Sequence, residues 1–254
     1  MHNSAGVFAR SGVTVRGLVR KTPQGRVILD HLDIDLAAGT VTSFVGANGS
    51  GKSTLARVIA GVDRPDAGTV IRPVQRALLV AERVPALPSC SARIVADALA
   101  GALPNSPDCD VRNSRLAQAL SALGSTHDAD APLTRLSKGT LQKAYLAVAF
   151  ALRPVLAVLD EPFTGLDPAA IRAANELLRA IATEGGIVLL TAHEPLGIAD
   201  LFVYLDNGHL STHSEQSAGG PALETSMSET AWFLIELVTA AGVRQCSRVQ
   251  ATQV

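Results

Sequence analysis

The sequence predicts an α/β fold: a mostly parallel sheet, a small antiparallel β subdomain and an inserted α-helical subdomain. Three observations carry that prediction. Val41-Thr42-Ser43-Phe44-Val45 is β-branched and aromatic, and it runs straight into a glycine-rich loop. Val155–Leu159 and Ile187–Leu190 are unbroken apolar runs, as in strands buried on both faces. Between the first strand and these runs lies an Ala- and Leu-rich segment of helical character.

Taken in order, Val13 and Val15, then Val27-Ile28-Leu29, then Leu32, Ile34 and Leu36 alternate or cluster as short strands do. Ala37-Ala38-Gly39 reads as a turn before the strand at Val41–Val45. Thr54 to Ala60 is apolar at helical spacing, and Gly61 suits a helix C-terminal cap. The inserted segment carries helical stretches at Ala92–Leu103 and Val111–Leu123. Asn105-Ser106-Pro107-Asp108 and Gly124-Ser125-Thr126 break them. A strand at Val155–Leu159, a helix at Pro168–Glu184 and a strand at Ile187–Thr191 then follow, and this alternation implies a parallel sheet covered on both faces. Ser211 to Ser228 reads as a loop. Glu229 to Ala241 reads as a helix, either packed on the core or docked on a partner.

The chain has 254 residues and is 47% hydrophobic, enough for a sizeable core. Its 22 basic and 23 acidic residues give a net charge of -1, so no global electrostatic case for a nucleic-acid partner exists. Cys90, Cys109 and Cys246 are scattered without a CxxC pair, and the histidines show no metal-site spacing. Met1 to Arg10 lacks an apolar signal core, and no run reaches the ~18 to 20 apolar residues that span a bilayer. The expectation is a cytoplasmic chain; if it works at a membrane, another chain supplies the membrane part.

Gly46-Ala47-Asn48-Gly49-Ser50-Gly51-Lys52-Ser53-Thr54 fits G-x-x-x-x-G-K-[ST]. Glycines let backbone N–H groups converge on phosphate oxygens, at a helix N-terminus whose dipole favours anions. Lys52 is expected at the β- and γ-phosphates, the Ser53 hydroxyl on Mg²⁺ and Thr54 near the α-phosphate. Strand, loop and helix stand in the order of a P-loop NTPase core. Asp160 ends an apolar strand, so its carboxylate emerges at the sheet edge where open α/β sheets bind ligands. It is expected to take Mg²⁺ through water. Glu161 follows directly and is placed to polarise the attacking water. His193 follows the next strand and is expected to reach the γ-phosphate and hold Glu161 and the water in line. Ser137 reads as the N-cap of a helix over Leu141 to Leu152, giving one more phosphate-friendly helix start.

With these motifs in this order, the chain resembles the ATP-binding subunit of ABC transporters from about Gly12 to Leu210. Leu136-Ser137-Lys138-Gly139-Thr140-Leu141-Gln142-Lys143 resembles that family's signature in an LSKG form, and Thr164-Gly165-Leu166-Asp167 its D-loop. The resemblance implies an ATP-binding domain over 12–211, with core segments 12–81 and 151–211, a helical subdomain over 82–150, and a tail over 212–254 carrying a helix at 229–241. It implies a face-to-face homodimer or heterodimer in which Ser137, Gly139 and Asp167 complete the neighbour's ATP site. It also implies ATP hydrolysis with Mg²⁺, a polytopic membrane permease as partner and a peripheral place on the inner face of the plasma membrane.

The chain departs from the family pattern twice. Glu82 stands where the family has a glutamine that touches Mg²⁺ and water; a glutamate still accepts but adds charge and loses a donor. Lys21-Thr22 stands where an aromatic residue stacks on adenine. The LSKG form, the Glu-Arg variant and the short length are similar to drug-, peptide- or antibiotic-exporting ATPases. The alternative is a soluble ABC-type ATPase acting on DNA or ribosomes, but the chain shows one P-loop, no heptad run and no zinc cysteines. A degenerate regulatory subunit is the third reading, against which stand Lys52, Asp160, Glu161 and His193.

Overall fold

In the computed structural model, residues 12–212 are described, apart from 76 and 126. The tail from 213 on, with the helix expected at 229–241, lies outside the described residues. Strands β1 (Val13–Lys21), β2 (Val27–Leu36) and β4 (Ala67–Ile71) form an antiparallel sheet in the order β2-β1-β4. A second sheet has the order β5-β6-β7-β3-β8-β9. Its members are β3 (Val41–Val45), β5 (Leu78–Val80), β6 (Leu156–Asp160), β7 (Ile187–Ala192), β8 (Leu201–Asp206) and β9 (His209–Thr212). All its pairings are parallel except β8 with β9.

Period-2 alternation explains why this sheet needs cover on both faces. Leu156 and Val158 of β6 point into one apolar cluster, Ala157 and Leu159 into another. Strand β7 divides in the same way, Ile187 and Leu189 against Val188 and Leu190. One face is covered by helix α1 (Lys52–Ala60) and by the inward residues of the antiparallel sheet, Val13, Val15, Leu18 and Leu29 among them. The other is covered by α2 (Ala92–Ala100), α3 (Cys109–Ala122), α4 (Lys138–Leu152) and α5 (Pro168–Thr183).

Local chemistry sets the helix ends. Gly61 closes α1 at φ 84°, a left-handed turn that glycine takes without strain. Arg72 adds to this end, its guanidinium donating to the Ile59 carbonyl at 2.6 Å and to the Val58 carbonyl, which also takes the Gly61 N–H, at 2.5 Å. Ser91 caps α2, Ser137 caps α4 and Asp167 caps α5, each side chain accepting a backbone N–H three residues on. Between α2 and α3, buried Arg112 donates to Asp97 and to the Pro107 carbonyl.

The short β segments expected between Val13 and Leu36 are two long paired strands, the clusters at Val27–Leu29 and Leu32–Leu36 lying in one strand, because each strand buries alternate residues under the larger sheet. Strands β4, β5, β8 and β9 are absent from the sequence reading. Strand β4 buries only Val70, so it shows no alternation, and β5 has three residues. The β8–β9 hairpin had a legible signal in Asn207-Gly208, whose φ values of 46° and 81° suit a two-residue hairpin turn.

Candidate functional site

Strand register brings the predicted residues to one edge. Val45 pairs with Ala192 and Asp160 with Thr191, so the loops after β3, β6 and β7 leave the sheet side by side. The first is the glycine-rich loop. Gly51 sits at φ 106°, and a Cβ there would lie 2.8 Å from Leu29 of β2, so only glycine fits. Gly46 is as tightly held, since its Cβ would meet the Leu205 carbonyl at 2.3 Å. Ala47, Asn48 and Gly49 are exposed at the tip, while the Ser50 hydroxyl is buried and has no hydrogen-bond partner. Lys52 folds back into the loop and donates to the Gly46 carbonyl at 2.7 Å and the Ala47 carbonyl at 3.0 Å. Its ammonium thus occupies the hollow that the curled backbone encloses. Ser53, in the first turn of α1, is an exposed residue, and Thr54 beside it is half-buried.

The β6 and β7 ends join that loop through hydrogen bonds. Ser53 Oγ donates to Asp160 Oδ1 at 3.1 Å. Thr191 Oγ1 donates to the same oxygen at 2.5 Å and accepts the Glu161 N–H at 2.9 Å. Glu161 adopts φ 47°, uncommon for a residue with a side chain. Its Oε1 lies 2.9 Å from His193 Nε2. A hydroxyl and a carboxylate converge here as oxygen donors, the set that a hard cation such as Mg²⁺ takes. Glu82 is exposed two residues past β5, beside the end of β6, and among the described residues it makes no recorded hydrogen bond. Thr22 lies in the β1–β2 turn, where its hydroxyl accepts the Arg26 N–H at 3.2 Å.

Ser137, Gly139 and Asp167 form a second cluster. The Ser137 hydroxyl meets Thr140 Oγ1 at 2.8 Å at the start of α4. A Cβ on Gly139 would lie 2.9 Å from the Gly165 carbonyl, so α4 and the loop 162–167 are in close approach. Gln142 Nε2 donates to the Pro162 carbonyl at 3.1 Å, and Lys143 Nζ to Asp167 Oδ2 at 3.0 Å. The Ala170 N–H, and after it Lys143, holds the Asp167 carboxyl below the usual carboxylate range. Thr191 was missed as a site-building residue, its signal being a hydroxyl near the end of an otherwise apolar strand, and Gln142 and Lys143 were read only as part of the signature segment.

A parallel sheet with a phosphate-binding loop and paired carboxylates at its carboxyl edge defines a nucleotide-hydrolysing P-loop protein. The family described as ABC transporter matches residues 29–164, more than half of the chain. An aliphatic sulfonates import ATP-binding protein of Streptomyces avermitilis is 35% identical over 221 residues, 85% of this chain and 82% of that protein. A cytochrome c biogenesis ATP-binding export protein of Gluconobacter oxydans is 35% identical over 173 residues, 67% of this chain and 76% of that protein. A solved ATP-binding subunit of an ABC transporter superposes with a TM-score of 0.71 at 25% identity, over 80% of this chain and 90% of that one. The chain belongs to the ABC transporter family, as an ATP-binding subunit with ATPase activity. Among the described residues, no helix is long and apolar enough to cross a membrane.

Proposed function

We propose that this chain hydrolyses ATP at the edge formed by β3, β6 and β7, and that the cycle drives a separate polytopic membrane permease. The observation that carries this reading is the connected set Ser53–Asp160–Thr191–Glu161–His193 beside the glycine-rich loop. On ATP entry, Lys52 exchanges the Gly46 and Ala47 carbonyls for β- and γ-phosphate oxygens, and Gly46 to Thr54 supply the cradle of N–H groups and hydroxyls. Ser53 and Asp160 would hold Mg²⁺, with Glu82 at the next strand end as a further oxygen donor. Bound there, Mg²⁺ would supply neutralisation of charge on the phosphate oxygens. Glu161 takes a hydrogen bond from water aimed at the γ-phosphorus, and His193 holds Glu161 in that aim.

The chain acts as a dimer, homomeric or heteromeric, in which Ser137, Gly139 and Asp167 face the neighbour's nucleotide. The start of α4 supports this, because its capped N-terminus is exposed at Ser137 and Lys138. The place of action is the cytoplasmic face of the membrane, beside the permease. Export is the direction expected from the LSKG form. The relatives' names carry both directions, import for the sulfonate protein and export for the cytochrome c biogenesis protein. Flux of candidate solutes in inverted vesicles, with the cognate permease, separates the two.

The test of the site is Glu161→Gln. Turnover is expected to fall about 10²- to 10⁴-fold, with ATP binding kept and a dimer trapped on a sizing column. Parental turnover in that variant would remove Glu161 from the reaction.

A further inference from the structure

We propose that Thr191 is a positioning residue of the ATP site, its hydroxyl setting both acidic residues at the end of β6; this rests on the reading above. Thr191 is fully buried in a strand whose other residues are apolar. Its hydroxyl has one proton, and the 2.5 Å contact gives it to Asp160 Oδ1. The lone pair that remains accepts the Glu161 N–H at 2.9 Å. The polarity of the chain is therefore fixed: N–H to hydroxyl, hydroxyl to carboxylate.

Two consequences follow from that polarity. Asp160 Oδ1 receives both Thr191 and Ser53, which pins the carboxylate against rotation. Its Oδ2 takes no recorded hydrogen bond among the described residues, so one oxygen is spent on orientation and the other is left for a ligand. At the other end, the N–H bond holds the Glu161 backbone at φ 47°, the conformation from which the side chain reaches His193. The strand neighbour Ala192 has no side-chain donor or acceptor, so it cannot share this task. Valine at 191 would preserve the shape of the strand and remove both hydrogen bonds.

The full chain is compared as parent, Thr191→Val, Thr191→Ser and Glu161→Gln. Three quantities are read: steady-state turnover, affinity for a non-hydrolysable ATP analogue with and without Mg²⁺, and the nucleotide-free unfolding temperature. Thr191→Val is expected to lower kcat about 10- to 100-fold and to raise KM for Mg-ATP. The gain in analogue affinity that Mg²⁺ confers should shrink by a similar factor, while affinity without Mg²⁺ stays parental. Thr191→Ser should restore both. Parental behaviour of Thr191→Val overturns the proposal, and so does a Ser variant as impaired as the Val variant, which would place the effect in packing. Should Thr191→Val fail to fold, Thr191→Cys replaces it, with a weakly bonding thiol of similar size; equal turnover of Ser and Cys variants then overturns the proposal. Parental turnover of Glu161→Gln sinks the ATP-site reading itself. An inactive Glu161→Gln beside a fully active Thr191→Val sinks only the role of Thr191.

Discussion

His193 Nε2 and Glu161 Oε1 lie 2.9 Å apart, although they come from different strand ends and are separated by 32 positions of sequence. The carboxylate is 15% exposed and the imidazole 47%, so the histidine forms the wet side of the pair. If the pair acts as a unit, removing either member costs about as much as removing both. His193→Ala is expected to lower kcat about 10²-fold or more, and His193→Ala with Glu161→Gln to be little worse than Glu161→Gln alone. Single-turnover rates of the three variants give the comparison; independent, additive losses would break the unit apart.

Lys52 has two roles that can be separated. Without nucleotide it satisfies the Gly46 and Ala47 carbonyls. Lys52→Ala should therefore lower the nucleotide-free unfolding temperature by a few degrees, on the order of 1 kcal/mol. It should also abolish the rise in unfolding temperature that ATP gives the parent. Differential scanning fluorimetry with and without Mg-ATP reads both effects, and a retained ATP shift would clear Lys52 of phosphate binding.

Gly139 is a steric test of the second cluster. Gly139→Ala places a methyl 2.9 Å from the Gly165 carbonyl, which is backbone and must move. Since Glu161 precedes that loop and Asp167 ends it, turnover should fall about tenfold while ATP affinity changes less than turnover. Equal kcat in parent and variant would mean the loop yields without consequence.

Asp200 supplies the acid-sensitive joint. Burial alone pushes its carboxyl up, but the Val41 N–H at 2.8 Å and the Arg179 guanidinium at 2.7 Å outweigh that and leave it below the usual carboxylate range. A carboxyl lowered on folding adds stability above its unfolded value, and that stability is lost as pH falls through the folded value. Asp200→Asn should cost about 1 kcal/mol at neutral pH, discounted for a side chain 41% exposed. The gap between parent and variant should close below about pH 4. Urea melts from pH 3 to 7 measure it, and a gap that widens in acid would reverse the assignment.

Much of the site was legible because its chemistry is written in contiguous residues. Gly46 to Thr54 and Asp160-Glu161 announce themselves by residue type, and the apolar strands before them say which sheet edge they share. Thr191 was not legible in this way. Its meaning comes from pairing with Asp160 across two strands, and a single hydroxyl in an apolar run is silent until register is known. The hold of Lys143 on Asp167 was hidden for a similar reason, since the two residues stand 24 positions apart. Among the elements, β4 was missed because an edge strand with one buried residue carries no periodic signal.

Helix α4 is tied to the loop 162–167 at three places: Gly139 on Gly165, Gln142 on Pro162 and Lys143 on Asp167. That loop begins one residue after Glu161. In the proposed dimer, the surface each subunit offers its neighbour is thereby hinged to the acid that works on its own ATP. News of one nucleotide's state then needs no messenger between the two sites. In that dimer, the single short loop would itself link the two occupancies.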